Sequence, residues 1–356
     1  MRGARFALIT LRLVTTYSSA TAHYLSPRRR DPVKVMLEEL VTHATFANAV
    51  DALGLAPGAP LRVLDVGSGT GDGLALLTEP HGELPPVTAG RPLEYRGLDA
   101  DPAMVETARS LHAAPGVAFE VGDVRDWRGD EPYDLYISCG VPYSHLTEDE
   151  LAAALTALLR GIARGGRRAA LLVDVLGRYS VEWTPRWSRS AWDYAMSFFE
   201  DTAEHLEQPM TFYDRPALAS VIAAASDASG VHPEAVTYTD RSVLVGRHTA
   251  TRTFNPAVPP YRTLINDLVR ASAPVRPRDL HFTPPTEGAP ADILTFFSTW
   301  AQDWNALVNA SGPPDTPLPP EQGTTLATAL LRHERHHQAG LGTAHSLTAT
   351  VVVNPT

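Results

Sequence analysis

Hydrophobic and polar positions alternate along this chain between two periods, one of strands and one of helices. Leu61 to Val66 is a β-branched and aliphatic run of strand length, followed by Gly67, Gly69 and Gly71 and then the helix-like Leu74-Ala75-Leu76-Leu77. Leu93 to Asp99 reads as a second strand, with Pro102 at a first-turn position and a helical run from Ala103 to Leu111. Val117 to Val121, Tyr133 to Ser138 and Arg168 to Val175 give a third, fourth and fifth strand, and Glu148 to Ala163 is strongly helical. This alternation predicts an α/β fold with a doubly wound, parallel sheet. Upstream, residues 15 to 58 read as helical, with Val33 to Val50 at helical spacing and Pro57-Gly58 as a stop. Downstream, Asp240 to Gly246 and Ser346 to Val353 read as a sixth and a seventh strand. Roughly a hundred residues separate them, too many for an ordinary loop. Helical patterns at Tyr261 to Val269, Ile293 to Val308 and Thr324 to His337, with proline-rich links between, predict that this stretch is a helical insert.

The turn after the first strand carries the most chemistry. Glycines at alternate positions let a ligand approach the backbone, and the start of the next helix offers unpaired N–H groups. The spacing is G-x-G-x-G; the dinucleotide fingerprint is G-x-G-x-x-G, and Asp72 stands where its third glycine would be. Asp65 lies two residues before the first glycine. This arrangement resembles motif I of class I S-adenosylmethionine-dependent methyltransferases, D/E-x-G-x-G-x-G, at every fixed position. The resemblance implies a Rossmann-like seven-stranded sheet, mostly parallel with an antiparallel edge strand, and S-adenosyl-L-methionine as cofactor. It implies that Asp65, Gly67, Ser68, Gly69 and Gly71 hold the amino-acid end of that cofactor. The second strand ends in Asp99, whose carboxylate can accept both hydroxyl protons of a ribose; the resemblance implies that role for Asp99, with Ala100 beside it. Gly122-Asp123-Val124 closes the third strand, and the resemblance gives Asp123 the adenine amino group and Val124 the ring face. Cys139, after the fourth strand, completes the implied cofactor set. Taken singly, Asp65 reads equally as a turn cap, Asp99 as a helix cap and Asp123 as a loop residue. Together they mark the carboxyl ends of three successive strands, the edge at which open α/β sheets bind ligands.

The loop from Cys139 to Thr147 is the expected place for methyl transfer. Val141-Pro142-Tyr143 is similar to the N-P-P-Y motif of amino-group methyltransferases. Gly140 stands in the Asn position and Val141 replaces the first Pro, so that activity is not carried over. Tyr143 is left as a wall of the acceptor pocket. His145 is a candidate general base, since imidazole near neutral pKa can accept a proton as the methyl arrives; the alternative is a hydrogen-bonded loop histidine. Beyond the fifth strand, three of the six tryptophans fall close together at Trp183, Trp187 and Trp192. They read either as a helix covering the sheet or as apolar walls for a planar acceptor, with Trp183 and Trp187 as substrate contacts. Tyr17 and Tyr24, on the N-terminal segment, are the other substrate candidates.

The resulting organisation is an N-terminal helical cap over 1–58, a Rossmann-like core over 59–254 and 341–356, and an insert over 255–340 serving as a lid or as a homodimer surface. The predicted activity is methyl transfer to a small, aromatic metabolite of secondary metabolism on O, N or C. Aminopropyl transfer on the same fold and a non-catalytic binding module are the alternatives. A net charge of −10 argues against a large nucleic-acid footprint and against an anionic membrane surface. The single Cys139 excludes an internal disulfide framework, and Arg12 interrupts the apolar N-terminal run, so a cytoplasmic protein without a signal peptide is expected. No metal is expected. His333 and His337 share a helical face, but Glu334 lies off it and the sequence offers no third ligand.

Overall fold

The structure, a computed structural model, describes residues 30–128, 131–196, 206–246 and 254–355. The first element is helical: a π-helical turn, Lys34–Glu38, runs directly into α1, Glu39–Ala52. Strand β1 (Leu61–Val66), helix α2 (Asp72–Thr78), β2 (Leu93–Asp99), α3 (Pro102–Leu111) and β3 (Val117–Val121) follow as the periodicity predicts. Asp101 caps α3 by accepting the Ala103 N–H at 2.8 Å, with Pro102 in the first turn. Strand β4 is only Leu135–Ile137. It stops early because the Ser138 hydroxyl replaces the ladder, donating to the Leu172 carbonyl and accepting the Asp174 N–H, each at 3.1 Å. Helix α4 (Glu148–Gly165) starts in a Thr147/Glu150 capping box, and β5 (Ala169–Gly177) is buried along its whole length.

Beyond β5 the chain departs from expectation. The tryptophan-rich segment is no helix over the sheet. A short 3-10 turn, Val181–Arg186, leads to β6 (Ala191–Met196), which pairs antiparallel with β7 (Leu206–Tyr213). Trp192 and Tyr194 are buried and Ala191 and Asp193 exposed, the period of a strand. Then come α5 (Arg215–Ser229), β8 (Pro233–Arg241), the three insert helices α6 (Tyr261–Arg270), α7 (Ala291–Ala310) and α8 (Pro320–His336), and β9 (Ser346–Val353).

Nine described strands join one sheet in the order 3-2-1-4-5-7-6. Strands β1 to β5 pair in parallel; β9 runs antiparallel between β5 and β8, and the β6–β7 hairpin meets only the end of β5 at Leu176 and Gly177. The expected count of seven misses that hairpin.

The expected sixth strand at Asp240 to Gly246 is a correction. The strand lies upstream, ending at Arg241, and Ser242 turns the backbone into the left-handed region at φ 77°. The apolar Val243-Leu244-Val245 run then gives its three N–H groups to the Glu334 carboxylate, at 2.7, 2.7 and 3.0 Å, instead of to a sheet. A second buried acid, Asp240, accepts the N–H groups of Leu341, Gly342 and Thr343 at 2.8, 2.9 and 3.2 Å. These two acids tie both ends of the insert to the sheet.

The largest hydrophobic cluster unites Val33, Leu37 and Val41 of the N-terminal helix, Trp183, Trp187 and Trp192, and the insert's Phe297, Trp300 and Trp304. The insert therefore shares a core with the helical cap and the hairpin. Arg262 of α6 reinforces this, meeting Asp31 at 2.6 Å and Glu38 at 2.7 Å. Among the described residues no helix is long and apolar enough to cross a membrane.

Candidate active site

At the carboxyl edge of the parallel strands the elements enclose a cavity of about 220 Å³. One wall is the glycine turn, Gly67-Ser68-Gly69, and the strand ends Asp99-Ala100 and Asp123-Val124; Cys139, Tyr143 and His145 come from the loop after β4. The opposite wall is Lys34, Glu38 and Thr42 of the N-terminal helix, with Arg241 and His345. Of the sequence-derived cofactor set, Asp65 and Gly71 do not line the cavity.

The three glycines answer three different requirements. Gly67 (φ 69°) packs on the loop, where a Cβ would sit 2.4 Å from the Pro142 Cβ. Gly69 (φ 52°) has open space where a Cβ would project, and its N–H donates to Asp99 at 2.8 Å. Gly71 (φ 98°) caps α2 and lies against the His112 ring. All three adopt backbone conformations that strain any residue with a side chain.

Asp65 points beneath the turn. Its Oδ2 accepts the Tyr95 hydroxyl at 2.5 Å and packs against Gly73, where a Cβ would lie 2.1 Å away. Burial pushes this carboxyl up to about 7 against the pull of the Tyr95 bond. Its place is that of a positioning residue under the turn, with no face toward the cavity. Asp99 does face it. Its Oδ2 accepts from Gly69 and its Oδ1 from the Asp101 N–H at 2.9 Å, which leaves lone pairs on both oxygens for two hydroxyls. Burial raises its pKa, with the Asp101 and Gly69 bonds opposing. At Asp123, burial raises the pKa but the Arg125 guanidinium outweighs it, and the group ends below the usual carboxylate range. Arg125 engages both Asp123 oxygens, at 2.5 to 3.0 Å. An adenine amino group would share that carboxylate with the arginine.

A nucleoside fits this cradle on the polar atoms the fold leaves over. Ser68 and Tyr143 line the cavity, and their hydroxyl oxygens are buried and have no hydrogen-bond partner among the described residues. Buried polar groups without partners are uncommon, and a bound ligand satisfies them.

The loop after β4 is held in an unusual conformation. Val141 adopts φ 61°, and the Asp174 carboxylate fixes the turn by accepting the Gly140 and Val141 N–H groups at 3.0 and 3.1 Å. Strain of this kind in a non-glycine residue persists only where its surroundings over-determine it. Here it presents Tyr143 and His145 to the cavity. Burial lowers the pKa of His145 to about 4, below the near-neutral value expected for it. An imidazole of that basicity is neutral at pH 7 and a poor proton acceptor.

Trp183 and Trp187 are also corrected. Both are buried in the core, and neither lines the cavity. Trp183 Nε1 donates to the carbonyls of Gly177 and Arg178 at 3.1 and 3.0 Å, and Trp187 Nε1 to that of Ser180 at 2.8 Å. An indole N–H buried with its partner satisfied is a packing element. Tyr17 and Tyr24 lie outside the described residues.

Sequence reasoning missed the far wall. Arg241 spans it, 3.2 Å from the Thr42 hydroxyl and 3.5 Å from Asp174. His345 lies just before β9, and its Nδ1 is 2.9 Å from the Glu182 carboxylate, both side chains being buried. No local pattern joins Glu182 to His345, which are 163 residues apart. The only sequence signal was a histidine immediately before a terminal strand.

Residues 63–166 match a family profile described as a methyltransferase domain. No curated protein matches the chain. Among solved structures, the chain is similar to an amino pentose methyltransferase from Micromonospora echinaspora (21% identity, 56% of this chain and 85% of that one, TM-score 0.36). It is also similar to a sugar N-methyltransferase from Streptoalloteichus (20%, 56% and 80%, TM-score 0.36). A third is an S-adenosylmethionine-dependent methyltransferase from Clostridium acetobutylicum (12%, 56% and 83%, TM-score 0.38). The glycine turn, the strand-end acids and the match to the methyltransferase-domain profile fall on the same segment, residues 63–166.

Proposed function

We propose that this protein transfers the methyl group of S-adenosylmethionine to the hydroxyl or amine of a small acceptor, with His345 as general base and Glu182 as the residue that orients it. When bound, the cofactor supplies an electrophilic sulfonium methyl. Asp99 and the Gly67–Gly69 backbone hold its nucleoside and amino-acid parts, and Tyr143 lies at the wall beside the reacting region. Catalysis then rests first on alignment, because two reactants fixed in line need no further ordering.

One observation carries the choice of base: His345 lines the cavity and has the Glu182 carboxylate 2.9 Å from its Nδ1. A carboxylate at one ring nitrogen fixes the tautomer that leaves the other nitrogen basic, and it stabilises the imidazolium once a proton arrives. An aromatic acceptor loses its main sequence argument now that Trp183 and Trp187 belong to the core, so acceptor class is set by the proton chemistry of the far wall.

Formation of S-adenosylhomocysteine with a panel of small amines, phenols and alcohols tests this reading. His345→Gln is expected to lower kcat by about 10² or more for a hydroxyl acceptor while leaving cofactor affinity within a few-fold. His145→Ala should change kcat by less than about tenfold. The reverse ranking would transfer the role to His145.

A further inference from the structure

We propose that the helical insert carries a divalent-metal site formed by Asp303 of α7 and His333 and His337 at the end of α8, and that its ligand is a borderline-soft cation such as zinc. The sequence offered only two of these ligands. Folding α7 against α8 brings in the third, and one ligand atom from each residue lies within 4.8 Å of the others. His337 Nε2 is 3.9 Å from Asp303 Oδ2, and the two imidazole rings are 4.2 Å apart.

Each of the two histidine rings has a backbone partner. His337 Nδ1 is 2.9 Å from the His333 carbonyl, which leaves Nε2 to face the aspartate. The His333 ring is bonded to the Trp300 backbone, and its Nε2 is buried without a partner although the residue is only 5% exposed. Backbone carbonyls on the second nitrogen are what fix the tautomer and orientation of metal-bound histidines. The spacing of four residues sets both rings on one helical face. Tetrahedral coordination at about 2.0–2.1 Å needs ligand atoms a little over about 3 Å apart, so rotations of these side chains would close the present spacing of up to 4.8 Å. Two imidazoles and one carboxylate favour zinc and its transition-metal neighbours over magnesium or calcium, which prefer oxygen. The exposed side, where Asp303 and His337 meet solvent, leaves a position for water.

The site would act as a clasp. It joins α7 to the last turn of α8, next to Glu334, whose carboxylate gathers the loop at Val243 to Val245. An ion there would fasten the insert at the point where it is tied to the sheet.

The test uses the full chain prepared without a histidine tag, stripped with a chelator and titrated with zinc chloride by calorimetry, alongside thermal denaturation. One zinc per chain and a raised melting temperature are expected for the wild type. His337→Ala and Asp303→Asn should weaken zinc binding by roughly tenfold or more and abolish the thermal shift, with metal-free melting temperatures unchanged because both side chains are half exposed. His336→Ala, the exposed histidine next door, should bind as the wild type does and so separates this site from adventitious capture by the chain's thirteen histidines. Wild-type protein with no saturable zinc binding would overturn the proposal. Equal binding by the wild type, His337→Ala and Asp303→Asn would overturn it as well.

Discussion

The parallel half of the sheet and the half built from the hairpin and insert are stabilised by different kinds of contact. In β1 to β4, what matters is local: a glycine beside its turn, Asp101 capping the helix that begins one residue later, Asp99 accepting from Gly69 across one strand connection. In the other half, the decisive contacts join distant segments. Glu334 reaches residues about ninety positions away, Glu182 meets His345, and Arg262 meets Asp31. The first half therefore announces its function in sequence, and the second announces only that it is helical and aromatic.

The contrast can be broken most forcefully in the aromatic core. Trp304 is fully buried, stacks on Trp300 at 5.0 Å and donates Nε1 to the Leu280 carbonyl at 2.8 Å. Trp304→Ala should cost about 3–5 kcal/mol in chemical denaturation. If the halves were independent, cofactor affinity of the remaining folded protein would be unaffected. Because the insert, the cap and the hairpin share one core, the N-terminal wall of the cavity should loosen too, and affinity should fall.

Glu334→Ala comes next. It removes the acceptor of three buried N–H groups while leaving the backbone path intact. A loss of about 2–3 kcal/mol is expected by denaturation, since unpaired buried donors retain their full desolvation cost. A change under about 0.5 kcal/mol would mean that the loop at Val243 to Val245 finds other partners.

Asp99→Ala tests the local half. Loss of a charged acceptor is worth about 1.5–3 kcal/mol, so S-adenosylhomocysteine affinity should drop roughly 10- to 100-fold. Unfolding should change little, because Asp99 sits at a strand end and not in a core cluster.

A separate effect concerns pH. Asp65 carries a folded pKa of about 7, raised above its unfolded value of about 3.9. Its proton is held more tightly by the folded state, so its contribution to stability is complete below about pH 4 and is lost as pH rises through 7. Asp65→Asn should flatten that decline in a denaturation series from pH 4 to 8. An unchanged slope would show that the carboxyl is ionised beneath the turn.

The legibility of this fold follows from the range of each interaction. Strands β1 to β5 and the alternation with helices are written in periodicity, because each element buries one face and pairs with neighbours in the sheet. The cavity-lining residues Gly67, Gly69, Asp99 and Asp123 were legible for the same reason: they stand where a strand ends, and position along the chain fixes position in space. Asp65 was legible as important but not as placed, since nothing in the turn shows that Tyr95 draws its carboxylate downward. Trp183 and Trp187 misled because an aromatic in a loop looks the same whether its N–H meets a ligand or a backbone carbonyl. The strand expected at Val243 to Val245 failed because apolar residues do not reveal that a glutamate ninety positions on will take their N–H groups.

The central claim is that the glycine turn and Asp99 form a site for S-adenosylmethionine. Isothermal titration of the intact chain with S-adenosylmethionine, S-adenosylhomocysteine and NAD tests it directly. One site per chain is expected for the first two ligands, weakened in Asp99→Ala, with no binding of NAD. Binding of NAD in preference to S-adenosylmethionine, or equal affinities in the wild type and Asp99→Ala, would contradict it.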